Sequence, residues 1–296
     1  MGLRRLLASV ALVTVALMAV ILWVYPSPSD FAPSNPYWNG LQRFAAQPGV
    51  AVVRSAGLLP ASAGGTALVV IPYAAPFPGD LEAYRRYLAG GGVLILMDDF
   101  GAGNEVLAGL GGHARFSGQV LVDPLFNQRN GRFPRISDFS ASPLAEGVAA
   151  LVLNHPTAII DPGGLSVVAR SSPVSFLDAN ENGRRDEDEP GGPFAVAAAG
   201  RAGGGWLVLV SDPSILLNSM LDSDQNRRFV QNLFGLAGGH ARVYLDASPL
   251  PRAPLDVAKD RLARFRELAA TPPVVFAAAA AALVLPLAVL ARSSRR

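Results

Sequence analysis

The stretch Ala67–Asp99, ALVVIPYAAPFPGDLEAYRRYLAGGGVLILMDD, sets the class of fold. It opens with one apolar run, Ala67 to Tyr73, and closes with another, Val93 to Asp99. Between them Leu81, Tyr84, Tyr87 and Leu88 recur at helical spacing, and Gly90 to Gly92 halt the helix. Runs that are apolar throughout, without polar alternation, belong to strands buried on both faces. Strand, helix and strand therefore form a parallel βαβ unit.

Upstream, LQRFAAQPG predicts a short helix and VAVVRS a strand. Downstream, from about Gly118 to Val210, short runs such as QVLVDP, TAIID, LSVVARS and FAVAAAG alternate with Gly, Pro and Asn clusters. These predict an antiparallel extension, with the insertion at about 118–200. Trp206 to Val210 is again a continuous apolar strand, ending in the turn Ser211-Asp212-Pro213. A helix from about Asp224 to Ala237 carries Phe229, Leu233 and Leu236 on one face, and ARVYL supplies a last strand. The expected fold is α/β, a mostly parallel open sheet of the Rossmann or flavodoxin kind with an antiparallel β extension.

The ends of the chain are different. Of 296 residues, half are hydrophobic and only 16% are charged. Leu6–Tyr25 and Pro272–Ala291 are uncharged and each about 20 residues long, the length that crosses a hydrocarbon core of about 30 Å. The first could instead be a cleaved signal. Its apolar run exceeds the usual length, however, and no clear small-x-small site follows. The second is alanine-rich and carries Pro286, so a buried helix is the alternative to a span. The expected layout is a stub and anchor at 1–29, a globular domain at 30–250, an amphipathic juxtamembrane helix at 251–271, and a second transmembrane helix with a basic tail at 272–296. Arg4 and Arg5 precede the first span and no Lys or Arg follows it until Arg43, which puts both termini in the cytoplasm and the main domain outside. The basic residues just before the second span, such as Lys259, Arg261 and Arg264, argue the other way.

The chain has no cysteine, which removes disulfides, thiol nucleophiles and cysteine-ligated zinc. No G-x-S-x-G elbow occurs. The net charge of +2 is scattered, so no nucleic-acid partner is expected. His113, His155 and His240 each sit beside a turn and are read as loop histidines.

The segment GGGWLVLVSDPSILLNSMLDSDQNRRFVQNLFG resembles the signature region of the DUF4350 family. A glycine turn (Gly203–Gly205) leads to a strand ending in Ser211-Asp212, then Asn218, then Asp224 and Asn226 opening a helix. The upstream SNPYWNG, the GGGVLILMDD strand and the membrane-flanked layout are also similar. The resemblance implies a class I glutamine amidotransferase-like fold without the catalytic apparatus. It also implies a cell-surface assembly with MoxR-type ATPases and DUF58 proteins. One departure is VYLDAS after the last strand, where the family often has an acidic-His pattern.

Open α/β sheets bind ligands outside the carboxyl ends of their strands. The expected ligand residues are therefore Asp98, Asp99, Ser211 and Asp212, with Asn218 from the signature. Three functions remain open at this level. One is a non-catalytic extracytoplasmic binding domain, the second an envelope hydrolase or transferase using Asp98, Asp99 or Asp212, and the third a cytoplasm-facing transporter accessory. Tyr37 and Trp38 would either stack on a sugar or pack the domain's first turn.

A separate motif lies in FLDANENGRRDEDEPGGPF, Phe176 to Phe194. Asp178-x-Asn180-x-Asn182-Gly183-x5-Glu189, with Asp186 at position 9, matches the twelve-residue EF-hand loop. Oxygens at positions 1, 3 and 5 converge as the chain curls, Gly183 permits the sharp turn, the Arg184 carbonyl serves position 7, and Glu189 closes the shell. The flanks suggest strands, so a structural calcium clipping a β-loop is expected, against the alternative of a solvated acidic hairpin tip. The similar DSDQN at Asp222–Asn226 lacks the glycine and the closing carboxylate, and is read as helix capping by Asp222, Ser223 or Asp224.

Overall fold

The two apolar runs of the opening stretch become neighbouring parallel strands. The computed structural model describes residues 2–99, 101–239, 241–269 and 271. The chain divides into two units, Met1–Ser27 with Arg252–Arg296, and Pro28–Pro251.

The first unit holds helix α1 (Leu3–Val24), none of whose residues is buried. Its 22 residues extend about 33 Å at 1.5 Å per residue. Among the described residues it is the one helix long and apolar enough to cross a membrane, a description that an anchor and a signal sequence both meet. The second expected span, Pro272–Ala291, lies outside the described residues, as do Arg292, Arg295, Arg296 and His240.

The larger unit is a mixed α/β domain. Its elements begin with α2 (Gln42–Ala45), β1 (Val50–Val53), β2 (Thr66–Val70), α3 (Pro78–Ala89), β3 (Val93–Met97) and α4 (Gly103–Gly109). Nine strands follow: β4 (Arg115–Phe116), β5 (Val120–Val122), β6 (Arg135–Ile136), β7 (Asp138–Phe139), β8 (Leu151–Val152), β9 (Ile159–Asp161), β10 (Ser166–Arg170), β11 (Phe176–Asp178) and β12 (Ala195–Ala202). The unit closes with β13 (Gly205–Val210), α5 (Asn226–Gly235) and β14 (Arg242–Asp246). The main sheet runs β1-β14-β2-β3-β13-β12-β10-β7. Strands β1, β14, β2, β3 and β13 are mutually parallel. From β13 onward, β12, β10 and β7 continue the sheet antiparallel, and β9 attaches β4 to β12. Two small ribbons, β11 with β5 and β6 with β8, stand apart from it.

Every residue of β3 is buried, as expected of a strand covered on both faces. The two-residue period of the strands sorts the core. Leu68, Val70, Leu94, Leu96, Leu207 and Leu209 meet Tyr84, Tyr87 and Val106 on one face. Val69, Ile95, Met97, Val208, Val210 and Leu245 meet Phe44, Phe229 and Leu233 on the other. Each large apolar side chain so covered contributes roughly 1.5–3 kcal/mol. Helix α3 starts at Pro78, and the Asp80 carboxylate accepts the Phe77 N–H at 3.2 Å. The glycine turns on either side bring β3 and β13 together. A Cβ on Gly205 would lie 2.0 Å from the Gly92 carbonyl oxygen, so no larger residue fits there.

Helix α5 corrects one expectation. It begins two residues later than the sequence suggests, and no side chain caps it. Asp222 is instead paired with Arg43 and Arg227, and Asp224 with Arg135 at 2.7 Å. In the first unit, α6 (Pro254–Ala269) forms where the amphipathic juxtamembrane helix is predicted. There the Ser27 hydroxyl donates to the Asp256 carboxylate at 2.8 Å, and Lys259 donates to the Tyr25 carbonyl.

Candidate functional site

β3 and β13 end side by side, Met97 opposite Val210. The two acidic turns that follow, Asp98-Asp99 and Ser211-Asp212, are therefore neighbours at the carboxyl edge of the parallel strands. Their side chains divide sharply in role. The Asp98 carboxylate is buried and accepts the N–H groups of Gly101 and Gly103 at 3.0 and 2.8 Å, which tethers the start of α4. Asp212 is sealed from solvent as well. Its Oδ1 accepts the Ser214 N–H at 2.6 Å and its Oδ2 the Asn154 N–H at 2.7 Å. Ser211 is buried, its carbonyl accepts the Thr157 N–H at 3.0 Å, and its hydroxyl has no partner. The Asn218 side chain bonds to main chain, and the residue's own backbone carbonyl accepts the Arg43 guanidinium at 2.9 Å. Its amide donates to the carbonyls of Asn35 and Tyr37 at 2.9 and 2.6 Å, and its oxygen accepts the Arg43 N–H at 2.8 Å.

Of the five expected ligand residues, Asp99 lines a cavity at this edge. That cavity measures about 450 Å³ and is also bounded by Asp30, Phe31, Trp38 and Asn39 from the first turn, Gly118, Val120, Asn154 and His155 from the insertion, Glu181, and Ser214 and Leu217. Asp98, Ser211, Asp212 and Asn218 lie outside this lining. They hold the loops that shape it. A larger hollow of about 700 Å³ opens among residues at the amino ends of β1 and β14, such as Val50 and Val243. It contains no carboxylate and lies at the edge opposite the one where open α/β sheets bind ligands.

Asp99 is the electrostatic centre of the cavity. One of its carboxyl oxygens is buried without a hydrogen-bond partner. Its pKa is pushed up to about 9, first by burial and then by the charges of Asp212 and Asp98. Burial raises Asp212 too, but the Asn154 and Ser214 amides oppose that by favouring its ionised form. Of the pair, Asp99 holds the proton. His155 is held below its usual value by burial and by Arg132, with Glu181 acting against them, so its ring is neutral at pH 7.

Trp38 does not pack the domain's first turn, being 69% exposed at the cavity wall. The turn itself is held from below. The Asn35 amide donates to the Ser29 carbonyl and its oxygen accepts the Tyr37 N–H, both at 2.8 Å. A Cβ on Gly40 would collide with the Asn35 carbonyl at 2.0 Å. Asp30 and Asn154 carried no distinguishing signal in the sequence, and Asn39 and Glu181 lay within quoted motifs without being marked as ligand residues. They come together only because the first turn, the insertion and the 178–189 loop converge on Asp99.

The EF-hand-like loop folds back on itself as its spacing suggests. Asp178 Oδ2 accepts the Gly183 N–H at 2.8 Å, Asn180 accepts the Asn182 N–H at 3.0 Å, and Asn182 accepts the Arg184 N–H at 2.7 Å. The two carboxylate oxygens of Glu189 accept the N–H groups of Ala179 and Asp186 at 2.8 and 3.1 Å. The amides of Asn180 and Asn182 both donate to Asp186, at 2.7 and 2.9 Å. Arg132 donates to the Glu181 carbonyl at 2.7 Å and approaches Asp178 Oδ2 at 3.8 Å. Among the described residues no three His, Cys, Asp or Glu side chains cluster closely enough to hold a metal by themselves. Any ion here would depend on the amide and backbone carbonyl oxygens as well.

The signature asparagines are thus fixed by main-chain carbonyls: Asn218 binds the SNPYWNG turn, and the Asn226 amide donates to the carbonyls of Val152 in the insertion and Met220 at 2.8 and 3.0 Å. The family model described as Domain of unknown function (DUF4350) matches residues 33–234. The chain belongs to the DUF4350 family. The DUF4350 span contains every cavity-lining residue except Asp30 and Phe31. No curated protein matches the chain. Among solved structures, it is similar to the mmIFT52 N-terminal domain at 12% identity and a TM-score of 0.46, covering 58% of this chain and 78% of that one. It is also similar to a putative thua-like protein from Bacteroides uniformis, at 14% identity and a TM-score of 0.36, over 57% of this chain and 68% of that one. A beta-galactosidase from Bacillus circulans sp. alkalophilus matches at 13% identity and 0.32, over 55% and 22%.

Proposed function

We propose that this DUF4350 protein is a membrane-anchored, extracytoplasmic binding protein that holds a neutral or cationic, hydroxyl-rich ligand of the cell envelope in the Asp99 cavity without transforming it. The observation that carries this reading is the composition of the lining: Asp30, Asp99 and Glu181 with Asn39 and Asn154 around an exposed Trp38, and no Lys or Arg. Such walls repel phosphates and carboxylates. They suit hydroxyl groups, which donate to Asp30 and Glu181 and accept from a protonated Asp99, while the indole face covers the apolar side of a sugar ring.

Catalysis is the less favoured reading. A hydrolase of this kind needs an acid and a base that both reach the substrate. Here Asp98 and Asp212 are committed to backbone amides and lie outside the cavity lining. Of the three acids on which the catalytic reading relies, Asp99, with its raised pKa, is the one that lines the cavity and could act as general acid if the domain is an enzyme after all. A non-catalytic relative of the glutamine amidotransferase fold agrees with the parallel half of the sheet and with a chain that has no cysteine. In this reading α1 is the anchor, the basic residues Arg4 and Arg5 before its apolar core support an outward-facing domain, and Pro272–Ala291 is the proposed second span. A domain facing the cytoplasm as a transporter accessory is the alternative topology, which protease protection in oriented vesicles decides. MoxR-type ATPases and DUF58 proteins, implied by the family resemblance, are the proposed assembly partners.

The test is retention of envelope oligosaccharides, neutral, cationic and anionic, by the full-length protein in nanodiscs, with the mass of each recovered compound measured. Neutral or cationic saccharides should be retained intact, and Trp38→Ala should weaken retention at least ~10-fold, in line with loss of a stacking contact. Cleaved products that disappear in Asp99→Asn would establish the enzyme instead.

A further inference from the structure

We propose that Asp178, Asn180, Asn182, the Arg184 carbonyl, Asp186 and Glu189 form a calcium site that stiffens one wall of the Asp99 cavity. The sequence pattern alone leaves a solvated hairpin tip as the alternative to a calcium loop. The structure adds one observation that a hairpin tip does not explain. Asp178, at loop position 1, is 1% exposed, and its Oδ1 is buried with no hydrogen-bond partner. A carboxylate oxygen kept from water with nothing to bind is costly unless a ligand completes it.

The other oxygens are compatible with the same ion. Asn180 and Asn182 each use one lone pair of the amide oxygen on a backbone N–H, and an amide oxygen has two. Each oxygen of Glu189 accepts one N–H and likewise keeps a lone pair, so bidentate closure remains open to it. Glu189 is 5% exposed, which makes it a second buried carboxylate at the opposite end of the loop. Gly183 adopts φ +76°, the left-handed turn that position 6 requires. Arg132 faces Oδ2 of Asp178, not the unpartnered Oδ1. A set made entirely of oxygens, in which amide and backbone carbonyl groups complete what the carboxylates do not hold by themselves, suits calcium and not a transition metal. The flanking elements are strand β11 and an extended return to β12, so no helix pair is present for the ion to open. Its effect is local: Glu181, at loop position 4, lines the cavity and is fastened to Arg132.

The test uses the full-length protein in nanodiscs, stripped with a chelator and titrated with calcium chloride, and separately with magnesium chloride. One calcium should bind with a dissociation constant of roughly 10⁻⁴ to 10⁻³ M, the range of extracellular modules, and raise the melting temperature, while magnesium binds far more weakly. Asp178→Asn and Glu189→Gln should each weaken binding at least ~10-fold, because each removes a charged ligand. If Asp178→Asn fails to fold, Asn182→Ala, at an exposed position, must still weaken binding. No heat and no rise in melting temperature at ~5 mM calcium, above the extracellular range, would overturn the proposal. So would unchanged affinity in all the folded variants. The readout is the metal alone, so failure here leaves the saccharide reading standing, and failure of saccharide retention leaves the calcium site standing.

Discussion

Oδ2 of Asp212 accepts the backbone N–H of Asn154 across 2.7 Å, joining residues 58 positions apart. This bond ties the carboxyl end of β13 to the β insertion that walls the cavity. The same carboxylate holds the Ser214 N–H with its other oxygen. Both oxygens are therefore acceptors for fixed donors, and an amide supplies only one. Asp212→Asn should place an NH₂ group against an N–H and destabilise the domain by about 1–3 kcal/mol. Urea unfolding of the detergent-solubilised protein measures this, and an unchanged midpoint would show that the bond contributes nothing.

Asp99 makes a prediction about pH. In the unfolded chain it loses its proton near 3.8; in the folded chain it keeps the proton up to about 9. Below the lower value both states are protonated and this group costs nothing. Between the two values the unfolded chain binds fewer protons than the folded one, so stability falls as pH rises. The melting temperature of the wild type should therefore decline from pH 5 to pH 8 by several degrees more than that of Asp99→Asn, which stays neutral throughout. Parallel pH profiles for the two proteins would contradict the raised pKa.

Asn218→Ala removes three hydrogen bonds at once and takes the acceptor from the N–H of Arg43, while the carbonyls of Asn35 and Tyr37 keep the N–H groups of Gln42 and Gly40. The expected cost is about 2 kcal/mol or more. Because these partners lie in the turn that carries Trp38, limited proteolysis should find new cleavage between Asp30 and Arg43. Loss of stability without new cleavage there would mean that the turn is held by other contacts.

The parallel half of the fold was legible because its strands are unbroken apolar runs and its helix α3 has clear ends at Pro78 and Gly90. The carboxyl-edge turns were legible for the same reason, since they are where those runs stop. Which acid faces the cavity was not. Asp98 and Asp99 are adjacent in sequence, and their different roles depend on the amides of Gly101 and Gly103 taking one side chain. Asp212 is settled by an N–H arriving from Asn154, which no local pattern announces. The helix-capping role expected of Asp222 or Asp224 failed because Arg43, Arg227 and Arg135 claim those carboxylates first. Trp38, which the sequence left open between stacking on a sugar and packing the first turn, is a surface residue.

Photoaffinity labelling tests the central claim most directly. A retained saccharide carrying a diazirine is bound to the nanodisc-embedded protein, irradiated, and its attachment sites are mapped by peptide mass spectrometry. Labels should fall on the turn containing Asp30, Trp38 and Asn39, on Asn154 and His155, and on Glu181. Labels confined to the opposite hollow, around Gln47, Gln231 and Phe234, would contradict the account.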